Sequence, residues 1–266
     1  MEFRTVVDIA KPGFEIHPCE EVLFVGSCFA DSIGQRFREE GFHVTVNPFG
    51  TMYNPASVLH TIERCDVAPS LIFITLGTNH VYRLKETGEI VDNCEKRPAA
   101  LFQEEVLTVT ACADYLLRAM DILSERNKEV KVVLTVSPIR YRKYGYHESQ
   151  LSKGTLLLAI EQLRQRALPV KHDAYFPAYE IVMDELRDYR FYASDMLHPS
   201  AQAVDYIWER LVDVYFSAAA KRYLDEWRPL KQVLGHKPFN PQSPDYQALM
   251  DKTMIKVAEL RKKYAL

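Results

Sequence analysis

The sequence predicts an α/β fold built on a doubly wound parallel sheet, and three observations carry that expectation. Short apolar runs alternate with amphipathic stretches along most of the chain. The run Leu71–Leu76, Leu-Ile-Phe-Ile-Thr-Leu, lacks the polar alternation of a half-exposed strand and reads as buried on both faces. Each run also ends in small or polar residues, as strands do where they deliver the chain to a ligand-binding edge.

Residues 1–20 read as an irregular lead-in, because Pro12, Gly13 and Pro18 break any regular element. Val22–Gly26 is a short strand. Phe29, Ile33 and Phe37 then recur at four-residue spacing on a helix that Gly41 closes with a left-handed cap. His43–Val46 is a second strand, stopped by Asn47-Pro48-Phe49-Gly50, and Asn54-Pro55 opens a helix to about Arg64. The third strand, Leu71–Leu76, runs into Gly77-Thr78-Asn79-His80. Val81–Leu84 and Ile90–Val91 flank Glu86-Thr87-Gly88 as a hairpin excursion. Val109, Cys112, Leu116, Met120 and Leu123 line one face of a long helix, and Lys131–Val136 is the fourth strand, ended by Ser137-Pro138. A basic, aromatic loop from Arg140 to His147 precedes a helix from about Ser152 to Gln165, and Asp173–Phe176 reads as a fifth short strand. Val204, Ile207, Trp208, Leu211 and Tyr215 mark a core-packed helix. Pro229 and the stretch Gly235–Pro244 interrupt the chain before a last amphipathic helix, about Tyr246 to Lys262.

Composition narrows the function. A chain of 266 residues with 47% hydrophobic content can bury a sizeable core. The net charge of −3, with both signs interspersed, argues against nucleic acid as the main partner. Five cysteines without a C-x-x-C pair offer neither a disulfide framework nor a zinc site, and a reducing compartment suits them better. Met1–Pro12 has no apolar signal region and no run is long enough to span a bilayer, so the expected location is the cytoplasm.

Candidate chemistry starts at Gly26-Ser27, where a hydroxyl follows a strand and opens a helix. Ser27 there is either a nucleophile or a helix cap. A serine nucleophile needs a base and a group to orient the base. Asp195-Met196-Leu197-His198 supplies both at three-residue spacing, although the same two residues could merely cap the next helix. Oxyanion stabilisation needs hydrogen-bond donors, for which the Ser27 amide, Gly50 and Asn79 stand at strand ends. Gly50 could equally be a turn glycine, and Asn79 a loop residue. Cys28 is the stronger nucleophile by type, but adjacent side chains on a turn diverge, and it reads as packing. His80, His147, Arg140 and Tyr146 are candidates for substrate contact, with the arginine and tyrosines suited to an anionic or sugar-bearing ligand.

Taken in order, serine after strand one, glycine after strand two, G-x-N after strand three and D-x-x-H late in the chain resemble the SGNH/GDSL hydrolase superfamily. Gly26-Ser27-Cys28-Phe29-Ala30 spells the motif of the GSCFA family. Further blocks are similar to that family: Asn47-Pro48-Phe49-Gly50 with Tyr53-Asn54-Pro55, Thr75-Leu76-Gly77-Thr78, Thr135-Val136-Ser137-Pro138, Leu151-Ser152-Lys153, and Asp184 through Tyr192. The resemblance covers roughly residues 1–215. It implies a three-layer α/β/α sandwich with a flavodoxin-like parallel sheet of about five strands. Residues 216–266 would then form a C-terminal helical extension, packed on the domain or on a partner.

It further implies Ser27 as nucleophile, His198 as base, Asp195 as orienting acid, and Ser27, Gly50 and Asn79 as oxyanion donors, with no metal or cofactor. The substrate class it suggests is a small-molecule or carbohydrate ester. An acyltransferase using the same residues and a non-enzymatic binding module are the alternatives. Two departures stand out. His80 follows Asn79 where the superfamily often has aspartate, and the Ile62–Leu71 connection is shorter than the family's, which carries tryptophan and histidine residues there.

Overall fold

The computed structural model describes residues 4–266. Five strands form one parallel sheet: β1 (Glu21–Gly26), β2 (His43–Val46), β3 (Leu71–Leu76), β7 (Lys131–Val136) and β8 (His172–Tyr175). Their spatial order is β2-β1-β3-β7-β8. In sheet numbering this is 2-1-3-4-5, the flavodoxin-like order that the family resemblance implies, and the winding reverses between β1 and β3. Register across that reversal pairs Gly26 with Thr75.

Alternation along the strands explains the layers. Val22, Phe24, Leu71 and Phe73 face one core, shared with α1 (Cys28–Glu39) and α6 (Ala201–Tyr215). Leu23, Val25, Ile72 and Ile74 face a second core with α2 (Pro55–Arg64), α3 (Val109–Arg126) and α4 (Gly145–Arg164). A strand with two apolar faces therefore needs helices on both sides, and the result is the three-layer α/β/α sandwich.

Four local expectations change. The excursion after β3 has three strands, because β6 (Phe102–Val106) pairs antiparallel with β4 (His80–Leu84), while β5 (Ile90–Val91) lies on β4's other edge. Phe-Gln-Glu-Glu-Val has too little apolar alternation to announce a strand. The strand expected at Asp173–Phe176 is shifted one residue earlier. The helix expected from Ser152 begins at Gly145, since its first two turns lie largely on the surface and carry no core-facing period. Finally, Pro229 does not interrupt the chain but lies inside α7 (Ala218–Leu234).

A mid-helix proline removes one backbone hydrogen bond and crowds the preceding turn. Tyr223 and Trp227 offset this by donating to the carbonyls of Glu40 at 2.8 Å and Glu39 at 3.0 Å while packing into the first core. Val257 and Leu260 of α8 (Pro244–Tyr264) join the same core. A short helical turn, α5 (Ala178–Glu180), continues as a wider π-type turn over Ile181–Glu185.

Candidate active site

Ser27 sits at the winding reversal, on the connection from β1 to α1. Gly26 makes the connection possible: its φ is +141°, and a Cβ there would lie 2.1 Å from the Thr75 carbonyl oxygen. The turn is braced by Asn47, itself left-handed at φ 42°, whose Oδ1 accepts from the Gly26 amide at 2.9 Å while its Nδ2 donates to Asp31 at 2.8 Å. Ser27 Oγ accepts from the Phe29 amide at 3.3 Å and lies 3.1 Å from Thr75 Oγ1. It therefore caps α1, the alternative role read from the sequence, and is only 1% exposed.

Asp195 and His198 form a hydrogen-bonded dyad. His198 Nδ1 lies 2.6 Å from Asp195 Oδ2, and Asp195 Oδ1 accepts the amides of Leu197 at 2.8 Å and His198 at 3.0 Å. These two backbone amides, with the imidazole, hold the carboxyl down at about 2. Met196, between them, adopts a left-handed φ of 60°. The turn is anchored to the segment after β7, because Arg140 N donates to the Leu197 carbonyl at 3.0 Å and Arg140 Nη1 to that of Met196 at 3.1 Å. Ser27 and the dyad thus both lie at the C-terminal edge of the sheet, with no hydrogen bond between Ser27 and His198 among the described residues.

The expected oxyanion donors are engaged elsewhere. The Ser27 amide donates to the Thr75 carbonyl at 2.9 Å, and the Gly50 amide closes its own turn on the Asn47 carbonyl at 2.9 Å. Asn79 Nδ2 donates to the Leu107 carbonyl at 2.8 Å, with Oδ1 buried and unpartnered. As arranged, Gly50 and Asn79 serve a turn and the root of β6, the local roles that a turn glycine and a loop asparagine commonly fill. Sequence reasoning passed over the Cys28 amide, which at the first position of α1 has no intrahelical acceptor.

The other candidates separate. His80 is buried, its Nδ1 2.9 Å from Glu104 and its ring stacked on Tyr144 at 3.9 Å, so it fastens β4 to β6, and it also lines a cavity with Asn79, Val106 and Ser152. His147 is exposed on the first turn of α4. Arg140 lies over Tyr146 at 4.2 Å and near Tyr192 at 5.4 Å. It opens onto a cavity of about 230 Å³ lined also by Gln150, Met183, Arg187 and Tyr189. Cys28 is half-buried, with Sγ 3.1 Å from the Tyr53 hydroxyl, whose ionisation burial disfavours. In the sequence Lys153 stands out only as part of the family block Leu151-Ser152-Lys153. It is fully buried, its Nζ donates to the Gly77 carbonyl at 2.7 Å, and burial pushes its ammonium down to about 7. Among the described residues, no cluster of histidine, cysteine and acidic side chains could hold a metal ion, and no helix is long and apolar enough to cross a membrane.

A parallel sheet in this order, covered by helices on both faces, defines a doubly wound α/β/α protein, with Ser27 where its first strand ends. The chain belongs to the GSCFA family: its model, described as "GSCFA family", matches residues 21–70 and 67–211. A second, "GSCFA domain protein, C-terminal domain", matches residues 227–265. No curated protein matches the chain.

Among solved structures, one similar chain is a member of the lipolytic protein G-D-S-L family from Veillonella parvula DSM 2008. It shares 12% identity over 73% of this chain and 97% of that one, with a TM-score of 0.45. A carbohydrate esterase family 2 enzyme with its carbohydrate binding domain, from Corynascus thermopiles (Myceliophthora fergusii), shares 14% over 78% and 68%, with a TM-score of 0.45. TesA shares 15% over 73% and 96%, with a TM-score of 0.43.

Proposed function

We propose that this protein is a serine hydrolase of carboxylic esters acting through an acyl-serine intermediate. The observation that carries the reading is the Asp195–His198 dyad, hydrogen-bonded at 2.6 Å, at the same sheet edge as the Ser27 turn. Asp195 fixes the imidazole with Nδ1 inward, leaving Nε2 as the base. In the reaction, Ser27 Oγ leaves Thr75, gives its proton to His198 and bonds to the acyl carbon. His198 returns the proton to the departing alkoxide; water then gives a proton to the same imidazole and bonds to the acyl carbon, the acyl–Oγ bond breaks, and Oγ takes that proton back as the acid leaves. Resting geometry without a serine–histidine bond is compatible with this, because such bonds tighten on substrate binding. The Cys28 amide, at the positive end of α1, is the donor we assign to the developing oxyanion, together with the Ser27 amide once it is freed.

The substrate class we assign is a small acyl ester, such as an O-acetyl group, on a carbohydrate or related alcohol. Arg140 and the tyrosines around it suit a sugar face or an anionic substituent. Hydrolysis of a chromogenic acetate ester tests the mechanism: Ser27→Ala is expected to lose activity, and equal rates for the variant and the parent would sink it. Product analysis with sugar acceptors present separates hydrolysis from acyl transfer.

One observation favours a second reading, a catalytically silent binding module: Ser27 is buried and its hydroxyl is engaged by Thr75. Stoichiometric labelling of Ser27 by a fluorophosphonate, abolished by heat denaturation, would exclude it.

A further inference from the structure

Two consecutive residues of α4 reach the same tripeptide. Ser152 Oγ accepts the Asn79 amide at 2.9 Å and lies 3.0 Å from Thr78 Oγ1, and Lys153 Nζ donates to the Gly77 carbonyl at 2.7 Å. Both side chains are almost wholly buried. A buried ammonium is costly unless a partner compensates it. Lys153 forms no ion pair among the described residues, and its Nζ lies 6.0 Å from the centre of the Tyr179 ring. A residue of this cost aimed at one backbone carbonyl calls for an explanation beyond packing, and the segment it grips supplies one.

Gly77 stands directly behind Ser27. A Cβ on it would meet Ser27 Cβ at 3.3 Å, Tyr53 Cδ1 at 3.1 Å and the Tyr53 carbonyl at 3.2 Å. The same Tyr53 carbonyl accepts both the Gly77 and Thr78 amides at 2.8 Å. The exit of β3 is therefore held between the Tyr53 carbonyl and two residues of α4. Any slack in that grip shifts the wall against which Ser27 rests and the Thr75 segment that holds its hydroxyl.

We infer that Ser152 and Lys153 are positioning residues that fix the β3 exit, Gly77-Thr78-Asn79, against Ser27 and so set the nucleophile's geometry. The inference rests on the hydrolase reading for its catalytic consequence, while the grip itself is measurable without catalysis. Lys153→Met keeps the length and apolar stem but removes the donor, Lys153→Gln keeps a donor, and Ser152→Ala removes the second contact.

In folded Lys153→Met and Ser152→Ala, judged by circular dichroism, kcat for an acetate ester and the rate of fluorophosphonate labelling of Ser27 are expected to fall by about 10–100-fold, the scale of a small misplacement. KM should stay within about twofold, and Lys153→Gln should recover part of the loss. Rates within about twofold of the parent in both folded variants would overturn the inference. Should Lys153→Met not fold, Ser152→Ala decides alone.

If the parent protein itself neither hydrolyses nor labels, the hydrolase reading fails. The positioning role then rests on amide exchange at Thr78 and Asn79. Exchange about tenfold faster in Ser152→Ala supports it, and unchanged protection overturns it.

Discussion

Asp195 is the residue whose surroundings say most about its role. It accepts two amides of its own turn and the His198 imidazole, and its carboxyl falls from an ordinary 3.8 to about 2. A depressed acid stabilises the folded turn above its unfolded value and loses that contribution as the pH falls through about 2. Asp195 should therefore stay ionised at every pH used for assay, and a carboxyl NMR titration near 2 rather than near 3.8 checks this. Asp195→Asn keeps the shape but removes the acceptor for Nδ1–H. Ester hydrolysis should fall on the order of 10³–10⁴-fold with KM little changed, measured by steady-state kinetics.

Gly26 makes a sharper demand, since any side chain there strikes the Thr75 carbonyl. Gly26→Ala should cost about 3 kcal/mol or more in urea unfolding. The D-x-x-H pair was legible in the sequence because both residues belong to one turn. The contacts of Ser27 with Thr75 and of Asn79 with Leu107 were not, because no local pattern encodes a partner tens of residues away.

Element by element, burial decides more than propensity does. Phe37, on α1, is wholly buried and packs within 5.0–5.6 Å, ring to ring, of Phe24, Phe42, Phe73, Trp208 and Phe216. Its four-residue spacing from Phe29 and Ile33 marked the inward face of α1 correctly. Phe37→Ala should destabilise the fold by about 3–5 kcal/mol in chemical denaturation.

The excursion depends on a polar fastener instead. His60 of α2 pairs with Asp92, just past β5, at 2.8 Å, and Arg64 reaches the same carboxylate at 2.7 Å. The hydrogen bond that His60 donates to the Asp92 carboxylate raises His60 above its ordinary 6.5. That contribution is present below about 6.5 and lost as the pH rises through the folded-state value. Limited proteolysis within the β4–β5 turn should be faster at high than at low pH, after correction for protease activity, and Asp92→Asn should erase the difference. The β6 strand and the continuity of α7 escaped the sequence because their stability comes from a neighbouring strand or from anchoring side chains rather than from their own periodicity. The early start of α4 escaped it because those first turns are largely exposed and carry no core-facing period.

For the whole molecule, the question is what covers the outer side of α1. Tyr223 packs edge-on against Phe42 at 5.7 Å, and its hydroxyl would lie 2.5 Å from a Cβ at Gly41. Removing residues 217–266 uncovers Phe42 and the end of α1, so the shortened chain should aggregate or melt well below the parent. Differential scanning calorimetry and size-exclusion chromatography would show it. Within the intact chain, Trp227→Ala should cost about 3 kcal/mol, a fall in Tm of about 6–12 °C at this size. We propose on these contacts that 216–266 is an extension folded onto residues 1–215.

The sequence alone determined the strand positions, the helix faces that meet the sheet, the serine turn and the D-x-x-H dyad. Each is written in local periodicity or in short motifs whose residues lie within one turn. Only the tertiary structure decided that Ser27 rests against Thr75, that Asn79 donates to the Leu107 carbonyl, and that Ser152 and Lys153 grip the β3 exit. Those outcomes depend on which distant carbonyls and hydroxyls the packed layers bring within 3 Å or so of one another, a quantity that spacing along the chain does not contain.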